Sequence, residues 1–140
     1  MFAFKDSNCS EVRIMDLFGA TVVAYPWQKL TQRVGAPGYV APEMLQDKGY
    51  DCKADMFSLG VIFFAIMTGR MLFQGSNLND ILEKNKNCDY DPLQNNFSRF
   101  SVLARDLFDK LVKENPEERI TAAEALEHPW LNEQNQQAAQ

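Results

Sequence analysis

The sequence is poor in the residues that build metal centres and cross-links. One histidine, His128, and three widely spaced cysteines, Cys9, Cys52 and Cys88, stand in 140 residues. Cysteines odd in number and so far apart form neither a disulfide framework nor a Cys-x-x-Cys clip, and one imidazole leaves a zinc site without its usual partners. Free thiols in a reducing compartment are the remaining reading. Basic clusters are also lacking: 14 Lys and Arg stand against 19 Asp and Glu, for a net charge of -5. Phosphate backbones and anionic lipid surfaces are held by grouped cations, so no nucleic acid and no membrane is expected as a partner. The longest apolar stretch, Met56 to Gly69, has 14 residues, short of the roughly 20 that a spanning helix needs. Lys5 and Asp6 interrupt the N-terminus where a signal peptide requires an unbroken apolar run. An intracellular, cytoplasmic location is expected.

What is present suits one globular domain, with 46% hydrophobic and 24% charged residues. Met56 to Gly69 is apolar on every side of the helical wheel, which predicts a helix enclosed by protein all round. Val12, Ile14 and Asp16 alternate with Arg13 and Met15, and Ala20 to Ala24 is β-prone, so a short hairpin is expected. Pro26, Gly35, Pro37, Gly38 and Pro42 make Tyr25 to Pro42 a loop of 18 residues, a length that is usually functional or disordered. Further helices are predicted over Asn77 to Lys86 and over Val102 to Lys113, the second capped by Ser101. Asp89 to Phe100 reads as irregular. Thr121-Ala-Ala-Glu124 is a capping box, with Pro129 expected to end its helix. The polar tail 132–140 is expected to be disordered.

Three segments in register resemble the C-terminal lobe of a eukaryotic serine/threonine protein kinase. They are Gly35-Ala36-Pro37-Gly38-Tyr39-Val40-Ala41-Pro42-Glu43, Asp55-Met56-Phe57-Ser58-Leu59-Gly60 with Thr68-Gly69, and Asn115-Pro116-Glu117-Glu118-Arg119 through His128-Pro129-Trp130-Leu131. The wording of the first and last is most similar to the calcium/calmodulin-dependent and calcium-dependent group. The resemblance implies a mainly α fold with a small β-hairpin, a partial kinase domain over residues 1–131, and a family function of ATP-dependent protein phosphorylation with magnesium. Its partners would be protein substrates or regulatory proteins.

Carried over residue by residue, Ala41, Pro42 and Glu43 close the activation segment, and Glu43 would pair with Arg119. Without the motif, these two would be read as ordinary surface charges. Asp55 would accept backbone hydrogen bonds from the catalytic loop, or serve simply as an acid favoured by the helix dipole. Asp16 would hold the magnesium that bridges ATP phosphates, or be a surface acid at a strand end. The run Asp16-Leu17-Phe18-Gly19 has one residue more than the family's Asp-Phe-Gly. Either Phe18 takes the glycine's place or the turn bulges. Ala36 stands where the family usually has Thr, and Thr31 is the phosphosite by position.

The family's Gly-rich loop, strand Lys and catalytic His-Arg-Asp loop have no counterpart in these residues, since the one histidine is His128. Phe2-Ala3-Phe4 resembles the strand just after the catalytic loop, so the sequence is expected to begin in mid-fold. A C-lobe fragment inactive by itself is one expectation, and a catalytically dead binding or decoy module is the other.

Overall fold

The computed structural model describes residues 13–25, 27–90 and 97–132. They form α1 (Pro42–Leu45), α2 (Lys53–Thr68), α3 (Leu78–Lys86), α4 (Val102–Leu111) and α5 (Ala122–Leu126), with single 3-10 turns at Leu17–Gly19, Phe97–Arg99 and Pro116–Glu118. A last helical turn covers 129–132. The fold is mainly α, as the sequence implies.

α2 is the axis. It begins three residues before the expected Met56 and stops where Gly69 takes φ 72, its N–H bonded to the Ala65 carbonyl. α4 packs against it at Gly60, where an added Cβ would lie 2.6 Å from Val112 Cγ2 and 2.8 Å from Leu111 Cβ. Only a residue without a side chain lets the helices approach so closely. Ala54, Phe57, Val61 and Phe64 of α2 join Leu107, Phe108 and Leu111 of α4 in the core. The rings of Phe64, Phe97 and Phe108 continue it, with Phe97 5.3 Å from Phe64 and 5.1 Å from Phe108 between centroids. The guanidinium of Arg105 closes this cluster 3.8 Å above the Phe97 ring.

Several expectations change. α2 is not enclosed all round, because Leu59 is 47% exposed and Ile66 74%. The hairpin is not completed among the described residues: Ile14 occupies a bridge position, 20–24 forms no strand, and Val12 lies outside the described residues. Pro129 opens the turn 129–132 rather than merely ending α5, since proline suits the first position of a helix. The caps form as read. Ala104 N–H donates to Ser101 Oγ at 3.1 Å, and both halves of the Thr121/Glu124 box are made. His128 is buried and its Nδ1 accepts from Trp130 N–H, which leaves Nε2 to donate to Asp106 at 2.8 Å. Cys9 and most of the tail fall outside the described residues. Cys52 and Cys88 are free thiols, and burial pushes Cys88 up to about 12, which makes it a poor nucleophile.

Candidate functional site

Residues 35–43 run from an exposed glycine turn into the core. Gly35 and Gly38 have φ 111 and 83, a region that L side chains rarely adopt. An added Cβ on Gly35 would also sit 2.6 Å from Val40 Cγ1. Tyr39 N–H closes the turn on the Ala36 carbonyl at 3.1 Å. Ala41 is fully buried, and Pro42 opens α1, where its missing N–H costs nothing.

Glu43 and Arg119 meet in the interior. Arg119 Nη1 and Nη2 reach the two carboxylate oxygens at 2.7 and 3.0 Å, a bidentate pair whose side chains are 4% and 0% exposed. Burying two charges is costly unless their remaining donors and acceptors are satisfied. Here Nη1 also donates to the Lys53 carbonyl, Nε to the Lys113 carbonyl, and Nη2 to those of Lys113 and Glu114. The guanidinium therefore ties α1, the start of α2 and the segment that follows α4 into one node.

Asp55 lies in the first turn of α2 and is exposed, on one face with Leu59, Ile62 and Ile66 at helical spacing. Burial on its protein side holds its carboxyl above the ordinary carboxylate value. The surroundings thus work against the charge that the helix dipole would favour.

Asp16 stands apart from this node. Residues 13–25 are exposed throughout. Asp16 has φ 63 and does not cap the Leu17–Gly19 turn that follows, so it is not a strand residue. That 3-10 turn absorbs the extra residue; the positive φ falls on Asp16 and not on Phe18, whose side chain points into solvent. The family's chemistry uses MgATP, for which Asp16 is the one described residue that the sequence resemblance assigns to the metal. A magnesium ion binds through carboxylates together with substrate phosphates. Among the described residues no group of three or more His, Cys, Asp or Glu could hold a metal.

Thr31 is exposed in a segment stitched to residues 47–51. Leu30 and Tyr50 form an antiparallel bridge with bonds of 2.8 and 2.9 Å, and Tyr50 Oη donates to the Gln32 carbonyl at 2.7 Å. Ion pairs flank the bridge, Lys29 to Asp51 at 2.6 Å and Arg33 to Asp47.

Two residues that sequence reasoning passed over complete the region. Asn85 of α3, fully buried, accepts from Gly38 N–H at 3.0 Å and donates to the Val40 carbonyl at 2.8 Å. Ser58 of α2 donates to the Tyr39 carbonyl at 2.8 Å. The available signal was an amide four residues after Ile81, on the apolar side of its helix.

The protein kinase domain family model matches residues 3–131. A probable myosin light chain kinase of Dictyostelium discoideum is 37% identical over 122 residues, which is 87% of this chain and 31% of that protein. A calcium-dependent protein kinase of Arabidopsis thaliana is 33% identical over 134 residues, 93% of this chain and 25% of the relative. Among solved structures, the twitchin kinase region from C. elegans matches with a TM-score of 0.76 and 34% identity, covering 86% of this chain and 21% of that one. The chain thus spans about a third or less of the length of these proteins. With the 35–43 segment, the buried node and the helical order all in place, the chain belongs to the protein kinase domain family.

Proposed function

We propose that the chain is the C-lobe portion of a serine/threonine protein kinase of the calcium/calmodulin-dependent and calcium-dependent group, and that it transfers no phosphate by itself. Residues 1–131 are the domain portion and 132–140 a polar tail. The observation that carries this reading is the node of Glu43 and Arg119, which anchors the 35–43 segment on the helical core. In a longer protein, joined to a His-Arg-Asp loop and a nucleotide-binding lobe, Asp16 would hold magnesium for ATP and protein substrates would lie along residues 35–40. The exposed stripe of Asp55, Leu59 and Ile66 supports such a partner, because apolar side chains left uncovered forgo about 1.5–3 kcal/mol each. Likeness to both a myosin light chain kinase and a calcium-dependent kinase supports the group. Thr31 would be its phosphosite, and its place cytoplasmic.

The test is phosphate transfer to serine and threonine peptides, with calorimetric titration of MgATP. The chain is expected to show no transfer and no binding tighter than millimolar. A product of the same gene with an in-frame His-Arg-Asp loop is expected to be active. Saturable micromolar MgATP binding that disappears in Asp16→Ala would overturn the first expectation. An in-frame stop just upstream would favour a stand-alone binding module instead.

A further inference from the structure

Residues 38–40 belong to no ladder and no helix, yet three of their backbone polar groups are bonded to side chains from elsewhere in the fold. Gly38 N–H donates to Asn85 Oδ1, the Tyr39 carbonyl accepts from Ser58 Oγ, and the Val40 carbonyl accepts from Asn85 Nδ2. Asn85 is 45 to 47 residues distant in sequence and completely buried. Two glycines at positive φ leave the turn many conformations of similar energy, and its one internal backbone bond joins Tyr39 to Ala36. The choice among them must come from outside.

We infer that Asn85 is the positioning residue of the 35–40 turn, and that its carboxamide joins α3 and the turn into one body. Its two bonds run in opposite senses, one accepted and one donated, across two residues of backbone. A carboxamide supplies both from one planar group with no change of charge or protonation. Aspartate keeps the acceptor and loses the donor, which sets a carboxylate against the Val40 carbonyl. Leucine has the right volume and neither group. A purely space-filling residue at this place would be apolar, as Ile81 is on the same helix side, because burying an amide costs free energy unless both ends are bonded. The geometry therefore assigns the amide to the turn. The inference rests on the kinase reading only for what the turn is used for, namely the presentation of a peptide.

Amide hydrogen exchange, resolved by residue on the whole chain, tests this without any catalytic activity. In the wild type, slow exchange is expected at Gly38 N–H and at the Asn85 side-chain amide. Asn85→Leu is expected to speed exchange at Gly38 about tenfold or more, the worth of one buried hydrogen bond, with the amides of α2 and α4 unchanged. Asn85→Asp is expected to keep Gly38 protected while Tyr39 and Val40 loosen. Unchanged Gly38 protection in Asn85→Leu, or equal acceleration at every amide, would overturn the positioning role. Should neither variant fold, fast exchange of the wild-type Asn85 side-chain amide overturns it and slow exchange supports it. Failure of phosphate transfer in the longer protein would remove the kinase reading and leave the exchange result standing.

Discussion

Residues 13–25 and residues 35–43 both match patterns of the same family, yet the first are exposed at every position while the second are buried from Val40 to Glu43. The contrast lies in where the partners are. Glu43 finds its arginine within the chain, and residues 38–40 find Ser58 and Asn85. Asp16 of the first segment has no such partner among the described residues: it makes no cap to the turn that follows and lies exposed. A motif becomes a structured site where the chain also carries what the motif binds.

The largest expected effect comes from breaking the side that is built. Arg119→Ala leaves the Glu43 carboxylate buried and uncompensated, at a cost of roughly 3–5 kcal/mol. That is a large part of a typical margin of about 5–15 kcal/mol, and a urea midpoint lowered by about 1 M or more is the expected reading. Next comes Gly60→Ala. Its Cβ must push α4 away from α2, and overpacking of this kind costs about 1–3 kcal/mol, seen as a lower midpoint with the 35–43 amides still protected.

Asp55→Asn sharpens the comparison through pH. The folded carboxyl sits above its ordinary value, so the native state binds this proton more tightly than the unfolded chain does. Stability then falls as pH rises from the ordinary carboxyl value through the raised one, and stays lower above it. The Asn variant is expected to lose that slope and to be at least as stable at neutral pH, which thermal melts across the acid range would show. Smallest of all is Asp16→Ala, expected to change stability by no more than about 0.5 kcal/mol, as for an exposed site without partners in the core. A larger loss would mean that residues 13–25 are held more firmly than their exposure indicates.

The helices were legible because their signals are local. Ser101 and Thr121 sit where a hydroxyl can meet an orphan N–H, and the structure makes both bonds. The meeting of Glu43 with Arg119 was legible only through the motif, since two charges 76 positions apart carry no periodic signal. The partners of Asn85 and Ser58 were illegible for a related reason: they are backbone groups, which leave no mark on residue type, so the amide on the apolar side of α3 could flag Asn85 without saying what it binds. The 20–24 half of the hairpin misled because β-prone residue types say nothing of whether a neighbouring strand is there to pair with them. α2 misled in the same way, for a wheel apolar all round cannot show which side this chain itself covers.

The node around Arg119 also bears on the order of folding. Its acceptors at 113 and 114 are local, but those at 43 and 53 are 76 and 66 positions away, so the guanidinium cannot be fully satisfied until α1 and the start of α2 have docked on the segment that carries it. Closing so long a loop for one pair is entropically unfavourable at an early stage. The pair is therefore expected to form late, and an Arg119→Lys change, which keeps the charge but loses the bidentate fork, should act on the rate of unfolding far more than on the rate of folding. Arg119 is then a lock on the finished structure, and what it adds to the chain is chiefly lifetime.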